Sequence, residues 1–271
     1  MHGVKETKEG PEVLKRKLDR LYRKYHRREL VHPDPLVFLY DYEDPRDREI
    51  VGLIASALAY GRVAQIMKSV SSVLGKMGES PYLFVMGSSE DAIGSAFDGF
   101  RHRFTSGKDV SSLLWAGRKA LERFGSLQEC FWSGLRTQDE TVLPALSSFV
   151  DFLRGCGKGC RKGFLPSPDE GSACKRWNLF LRWMVRGDDV DPGGWSRIPR
   201  SKLVVPLDTH MHRIAQSLGL TRRRQADQET SLEITRAFRR ISPRDPIRYD
   251  FVLTRFGIRR DMDMRELGSK V

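Results

Sequence analysis

The sequence predicts an all-α protein. Apolar residues recur at helical spacing along most of the chain, and the strongest strand signal is the run LVV at 203–205, which is too short to build a sheet. Apolar periodicity and turn residues together place helices at about 80–87, 110–124, 127–135, 140–154, 228–240 and 246–257.

Two further helical patterns lie nearer the N-terminus. Leu14, Leu18 and Leu21 share one face of a first helix whose other face is strongly basic. A second apolar pattern runs from 51 to 74 and contains Gly61. Because a glycine inside a helix costs about 1 kcal/mol relative to alanine, we expect a break or a close packing contact at Gly61.

Composition restricts the class of protein. The chain has 271 residues, of which 39% are hydrophobic and 30% are charged, as in globular proteins that function in water. No apolar run approaches the ~20 residues of a membrane span, and the charged N-terminus lacks the apolar core of a signal peptide. We therefore expect a cytoplasmic protein with no membrane partner.

The net charge of +12 is concentrated towards the C-terminus. Residues 197–260 contain fifteen Arg or Lys and six Asp or Glu, a net charge of +9. Such a surface attracts the phosphates of duplex DNA, although RNA, an acidic protein or no partner at all would also fit it. Charge alone thus favours a nucleic-acid partner.

The cysteines and one acidic stretch do not predict a bound metal. Cys156, Cys160 and Cys174 are three thiols without a fourth ligand at zinc-finger spacing, and Cys130 lies upstream. We expect reduced thiols and no cofactor. The stretch GDDVDPG at 187–193 lacks the length and the final Glu of an EF-hand, so it predicts a helix exit and a turn.

The segment DTHMH at 208–212 admits two interpretations. At the end of a strand, His210 and His212 would lie on one side and, with Asp208, could bind the metal of a hydrolase. The residues that follow have helical spacing, however, and on a helix the two histidines diverge. If a helix begins at Thr209, Asp208 is its N-cap, and hydrogen bonds from free N–H groups keep its carboxylate negatively charged.

Lys175 is a candidate nucleophile at the start of another helix. Ser172 is the predicted N-cap of this helix, and Gly187 is a predicted stop. In the first turn the helix dipole disfavours a cation, and nearby aromatic residues would bury the side chain. Both effects favour the neutral amine that imine formation requires, although most lysines are simply solvated.

These motifs occur in an order that resembles the helix-hairpin-helix DNA glycosylase superfamily, which includes the endonuclease III-like enzymes. An apolar helix leads to a Leu-Pro-containing hairpin, then to Lys175, and later to VPLDTHMHRI at 205–214. The separation of Lys175 and Asp208 is nearest that of the archaeal 8-oxoguanine DNA glycosylase branch. The resemblance implies two helical lobes, 46–204 and 1–45 with 205–271, and a cleft between them.

In that superfamily the matching lysine and aspartate are catalytic. The resemblance therefore implies that Lys175 and Asp208 excise a damaged base, most plausibly an oxidised purine such as 8-oxoguanine, from duplex DNA, with β-lyase activity and without a cofactor. We expect a monomer. The chain departs from the superfamily in two ways. LPSPDEGSAC replaces the usual Leu-Pro-Gly-x-Gly hairpin, and no cysteine follows Cys174, so we do not expect the usual iron–sulfur cluster. Lys158 and Lys162 are the alternative nucleophiles.

Two further sets of residues are predicted to bind the substrate. Residues for probing the DNA or holding the extruded base are Tyr60, Arg62, Trp177, Phe180, Trp183, Asp250 and Phe251. Residues for contacting the DNA outside the pocket are Arg197, Arg200, Lys202, His210, Arg213, Arg222, Arg223 and Arg224. The other functions left open are a non-catalytic nucleic-acid-binding module and a metal-dependent hydrolase that uses Asp208, His210 and His212.

Overall fold

The computed structural model describes residues 10–157, 159, 161–259 and 261–267, and over these the chain folds as an all-α protein. Lys158 and Cys160 lie outside the described residues. The helices are α1 Pro11–Tyr25, α2 Pro45–Ala57, α3 Val63–Leu74, α4 Pro81–Gly87, α5 Glu90–Ala96, α6 Gly107–Phe124, α7 Leu127–Trp132, α8 Leu143–Cys156, α9 Lys175–Val185, α10 Thr209–Ser217, α11 Gln228–Ile241 and α12 Asp250–Ile258.

Short elements connect these helices. A two-residue antiparallel pair, β1 Arg101–His102 and β2 Thr105–Ser106, precedes α6. The 3-10 turns are Arg28–Leu30, Pro35–Asp41, Lys162–Phe164, Pro168–Glu170, Arg200–Lys202 and Met264–Leu267. LVV at 203–205 is extended and belongs to neither strand.

The predicted break at Gly61 is confirmed. Helix α2 ends at Ala57 and α3 begins at Val63, and Gly61 between them has a φ of +97°. A side chain at this position would be strained by its backbone and would meet the Arg103 side chain. The chain therefore turns sharply here and sends Tyr60 out of the helical core.

Helix α2 lies at the centre of the core. It packs against α9, α3, α4 and α6, and against the turn at 35–41, and its residues from 49 to 57 are buried. Helix α6 packs against α5, α7 and α8. The terminal helices form a second set of contacts, in which α1 packs against α11 and α12, and α10 packs against α12. The site described below lies where these sets meet.

No helix within the described residues is long and apolar enough to span a bilayer.

Candidate active site

Lys175 is the first residue of α9, and an unusual backbone conformation precedes it. Cys174, the N-cap, has a φ of +47°, in the left-handed region that non-glycine residues rarely adopt. The prediction of Ser172 as N-cap is wrong, because its hydroxyl instead accepts a hydrogen bond from the Cys174 amide at 3.2 Å. This local turn determines where α9 begins and so positions Lys175.

Asp208 is the N-cap of α10, as predicted. Its Oδ1 accepts a hydrogen bond from the amide of Met211 at 2.8 Å. The approach through Pro206 is extended, so the carboxylate lies at the point where the chain turns into the helix. The cap engages one oxygen and leaves the other to face a second partner.

That second partner is Lys175. Its Nζ lies 3.2 Å from Asp208 Oδ2, although the two residues are 33 positions apart in the chain. The side chains are 32% and 19% exposed, so both can be reached from solvent. The contact is an ion pair, and a neutral Lys175 amine would form only at the expense of this pairing.

The ion pair lines a cleft of about 270 Å³. This volume is close to the lower end of the ~300–1,000 Å³ typical of small-molecule pockets. Residues one helical turn apart supply two of its walls, since α9 contributes positions 175, 179 and 182 and α12 contributes 250, 254 and 258. Segments 59–66, 206–210 and 33–35 contribute to the rest of the lining.

Four predicted pocket walls are core residues and do not line this cleft. Trp177, Phe180, Trp183 and Phe251 are each at most 3% exposed. Trp177 donates through Nε1 to the carbonyl of Pro166 and packs edge-on against Phe149. Trp177 and Phe180 leave α9 on faces that point away from the stripe of Lys175, Leu179 and Arg182 that lines the cleft.

The turn between α2 and α3 does reach the cleft. Tyr60 lines it, and its hydroxyl donates to the carbonyl of His102 at 2.9 Å and lies 2.7 Å from Thr105 Oγ1. This places the phenol between the cleft and the β1–β2 hairpin. Arg62 is exposed beside the same turn, and its side chain makes no hydrogen bond or ion pair with any part of the chain that the structure describes.

Asp250, also predicted, lines the cleft from the first turn of α12. Its Oδ2 accepts a hydrogen bond from Arg182 Nη1 at 2.6 Å, and the residue is 1% exposed. Burial raises the pKa of Asp250 to about 6, against the opposing effect of the Arg182 charge. The carboxylate is therefore held negatively charged at neutral pH mainly by this arginine.

A second buried ion pair, which the sequence did not predict, also lines the cleft. Arg255 Nη2 donates to Asp34 Oδ2 at 2.6 Å, and both residues belong to the lining. Burial alone would raise the pKa of Asp34, but the charges of Arg255 and Arg182 outweigh it and lower that pKa. Asp34 also caps the turn at 35–41 by accepting a hydrogen bond from the amide of Leu36.

Two buried arginines, Arg182 in α9 and Arg186 at its C-cap, are bonded to the acidic stretch at 187–193. Arg182 Nε donates to Asp191 Oδ1 at 3.1 Å, and Arg186 Nη1 donates to Asp191 Oδ2 at 2.7 Å. Arg186 also pairs with Asp188 and Asp245. The acidic stretch thus supplies counter-charges to α9, and it exits the helix in a turn as predicted.

The two histidines do not combine with Asp208 into a metal site. His212 is 9% exposed, and its Nε2 donates to the carbonyl of Arg223 at 2.9 Å, so that nitrogen is engaged. His210 lines the cleft and packs against Gly257. Within the described ranges no group of three or more His, Cys, Asp or Glu side chains could hold a metal ion.

Seven of the eight predicted DNA-contacting residues fall into two groups, and the eighth, His210, lines the cleft. Four are engaged in the protein: Arg197 with Glu129 and Trp132, Arg200 with the carbonyl of Gly187, Lys202 with the carbonyls of Arg136 and Thr137, and Arg223 with Asp227. Arg213, Arg222 and Arg224 are exposed, and their side chains form no ion pair or hydrogen bond with the described part of the chain. These three are available to an external anion.

Fold and site together define an all-α protein in which a lysine and an aspartate from different helices share an open, ion-paired cleft. The sequence matches the family described as "Protein of unknown function (DUF2400)" over residues 34–259, and the chain belongs to this family. No curated protein and no solved structure matches the chain. The matched range includes every residue that lines the cleft except Pro33.

Proposed function

We propose that this protein is a DNA glycosylase with lyase activity that excises a damaged base from duplex DNA. One observation carries the proposal: Lys175 Nζ and Asp208 Oδ2 lie 3.2 Å apart in a cleft open to solvent. An amine beside a carboxylate is the pair that imine-forming base excision requires. The resemblance to the helix-hairpin-helix glycosylases, carried by the same two residues, supports it.

The chemistry assigns a different task to each group. The Lys175 amine attacks the anomeric carbon of the sugar, and the bond from that carbon to the base breaks. The proton that the Lys175 ammonium gives up is the one that the departing base requires, so the step is balanced. Opening of the sugar ring then gives an imine on Nζ, and transfer of a C2′ proton to solvent water expels the 3′ phosphate. Hydrolysis of the imine by water then frees Lys175. The Asp208 carboxylate stabilises the positive charge that develops on the sugar.

The damaged base must leave the helical stack before this reaction. Extrusion costs a few kcal/mol and is easiest for a weakly paired base. The turn at Tyr60 and Arg62 adjoins the cleft and is the element that we assign to probing the stack. Arg213, Arg222 and Arg224 would meet phosphates. The lesion that we propose is an oxidised purine. We further propose that the protein acts in the cytoplasm and that its active form is a monomer.

Borohydride trapping tests the proposal. An imine between Lys175 and abasic duplex DNA would be reduced to a stable covalent adduct, and K175Q would form none. K162Q tests the alternative nucleophile, because Lys162 is an exposed lysine in the same helix–helix connection. It should leave trapping intact, and loss of trapping in K162Q but not in K175Q would assign the imine to Lys162. Base release that survives K175Q but not D208N would reassign the protein as a glycosylase without lyase activity. Salt-sensitive DNA binding with neither trapping nor base release would overturn the proposal in favour of a binding module.

A further inference from the structure

Three ion pairs balance the charge of the cleft lining. Lys175 pairs with Asp208 at 3.2 Å, Arg182 with Asp250 at 2.6 Å, and Arg255 with Asp34 at 2.6 Å. The lining therefore carries as many positive as negative side chains, apart from His210, whose charge depends on pH. A phosphate or a cationic ligand would add an uncompensated charge to this low-dielectric space, and a neutral ligand would not.

The deepest of these pairs has unused hydrogen-bonding capacity. Arg182 Nη2 and Asp250 Oδ1 are buried side-chain atoms without a hydrogen-bond partner among the described residues. Both residues line the cleft, so an unpartnered donor and an unpartnered acceptor belong to its lining. Buried polar groups are nearly always satisfied, and an unsatisfied pair that lines a cleft indicates a place for a ligand.

The remaining lining is mostly aliphatic, with the polar residues Thr209, Thr254 and His210. Among the Phe, Trp and Tyr side chains of the described residues, only Tyr60 lines this cleft. Its neighbours in the lining are aliphatic or proline side chains such as Val63, Ile66, Leu179 and Pro206. Cationic ligands are usually held between electron-rich aromatic faces, which these walls do not provide.

We propose that the cleft selects an uncharged nucleobase that carries an N–H beside a C=O, with Arg182 donating to the carbonyl and Asp250 accepting from the N–H. Oxidised and deaminated bases such as 8-oxoguanine, hypoxanthine and uracil belong to this class. Alkylated bases with a fixed positive charge, such as 7-methylguanine, do not. Undamaged guanine and thymine share the same edge, and their strong pairing in the helix protects them. This inference rests on the proposed glycosylase function and specifies its substrate.

A matched pair of lesions tests it. 8-Oxoguanine and 7-methylguanine are both guanines altered on the five-membered ring, and they differ in charge. In the same duplex context, and after the spontaneous loss measured without protein is subtracted, the wild-type protein should release 8-oxoguanine about a hundredfold faster than 7-methylguanine, because the fixed positive charge of 7-methylguanine has no counter-charge in the lining. Equal release, or preferred release of 7-methylguanine, would overturn the inference. This comparison needs no variant and stands even if a variant fails to fold.

The D250N variant tests the assigned residue. The readout is a ratio of two rates: base release from a duplex that contains 8-oxoguanine, divided by imine trapping on an abasic duplex. The abasic duplex is the reference because it offers no base to the pocket. We expect this ratio to fall about a hundredfold. D245N is the matched control, because Asp245 also pairs with a buried arginine, Arg186 at the C-cap of α9, but does not line the cleft, and its ratio should equal that of the wild type. A ratio unchanged in D250N would overturn the role of Asp250.

The two proposals fail in different ways. If the wild type neither traps abasic DNA nor releases any base, the glycosylase function itself is wrong. If the wild type traps abasic DNA but releases cationic bases, or no base at all, the function survives and the substrate inference is wrong.

Discussion

At the scale of single residues, Asp208 has two separable tasks. One carboxylate oxygen caps α10, and the other pairs with Lys175. Asparagine is as good an N-cap as aspartate, so D208N removes the charge and preserves the cap. Alanine removes both. Comparison of the two variants therefore distinguishes an electrostatic role in the reaction from a structural role in the helix.

We expect D208N to lower the single-turnover rate of base release by a factor on the order of 10² to 10³, because a preorganised charge that stabilises the transition state is lost. Its unfolding free energy should stay close to that of the wild type. D208A should lose the same activity and, in addition, about 1 kcal/mol of stability measured by urea denaturation. A D208N protein that releases base at nearly the wild-type rate would contradict the assigned role.

Asp250 predicts a pH dependence whose sign follows from its environment. Burial raises its pKa to about 6, so acidification protonates this carboxyl at a higher pH than an ordinary aspartate. Protonation removes the acceptor and leaves Arg182 uncompensated in the cleft. Base release should therefore fall by up to about tenfold per pH unit below pH 6. Imine trapping on abasic DNA, measured over the same range, is the control, and an identical acid limb in both assays would assign the titration to another group.

At the scale of secondary-structure elements, α9 is held by buried charges rather than by apolar contacts alone. Asp191 is fully buried and bonds both Arg182 and Arg186. Burial raises the pKa of Asp191, so its charge depends on those two arginines. Removing one member of such a group leaves the others buried without full compensation.

D191N should accordingly destabilise the protein by about 3–5 kcal/mol, measured by chemical denaturation. E122Q is the matched control, because Glu122 pairs with Arg118 and Lys119 on the surface of α6. Exposed pairs contribute about 0–1 kcal/mol, so this variant should unfold almost like the wild type. Equal losses of unfolding free energy in D191N and E122Q would mean that burial of the ion pairs around Asp191 does not increase their contribution to stability.

The elements also show how far local sequence could predict the site. The class of fold, the break at Gly61 and the cap at Asp208 depend on neighbouring residues, and all three are confirmed. The face of α9 that lines the cleft was not identified. Its aromatic residues were chosen as pocket walls, whereas the spacing of 175, 179 and 182 contained the correct stripe.

The buried ion pairs were missed for a different reason. Arg255 and Asp34 are 221 positions apart, so no local pattern connects them. Charged residues are usually exposed, which makes a solvated face the default interpretation of an arginine. For Arg182 and Arg186 a signal was present, because two arginines one turn apart interrupt an apolar helix just before an acidic stretch.

At the scale of the whole molecule, the basic charge is not uniformly available. Arg197, Arg200 and Lys202 were predicted to bind DNA, but each is held by contacts within the protein. The unengaged, exposed arginines of the predicted set are Arg62, Arg213, Arg222 and Arg224. Arg62 follows Tyr60 closely in the chain, and Arg213 follows Asp208. Part of the available positive charge therefore lies close in sequence to residues that line the cleft.

This distribution predicts which substitutions change the salt dependence of DNA binding. Each phosphate contact that a protein makes contributes about 0.9 to the slope of log affinity against log salt concentration. Combined R213Q, R222Q and R224Q should therefore reduce the slope by about 2–3, measured by fluorescence anisotropy on undamaged duplex over a series of KCl concentrations. R197Q is the control, because this side chain is stacked on Trp132 and paired with Glu129. If R197Q reduced the slope as much as the triple variant, the basic surface would act as a diffuse charge, and its contacts within the protein would not determine which arginines meet the DNA.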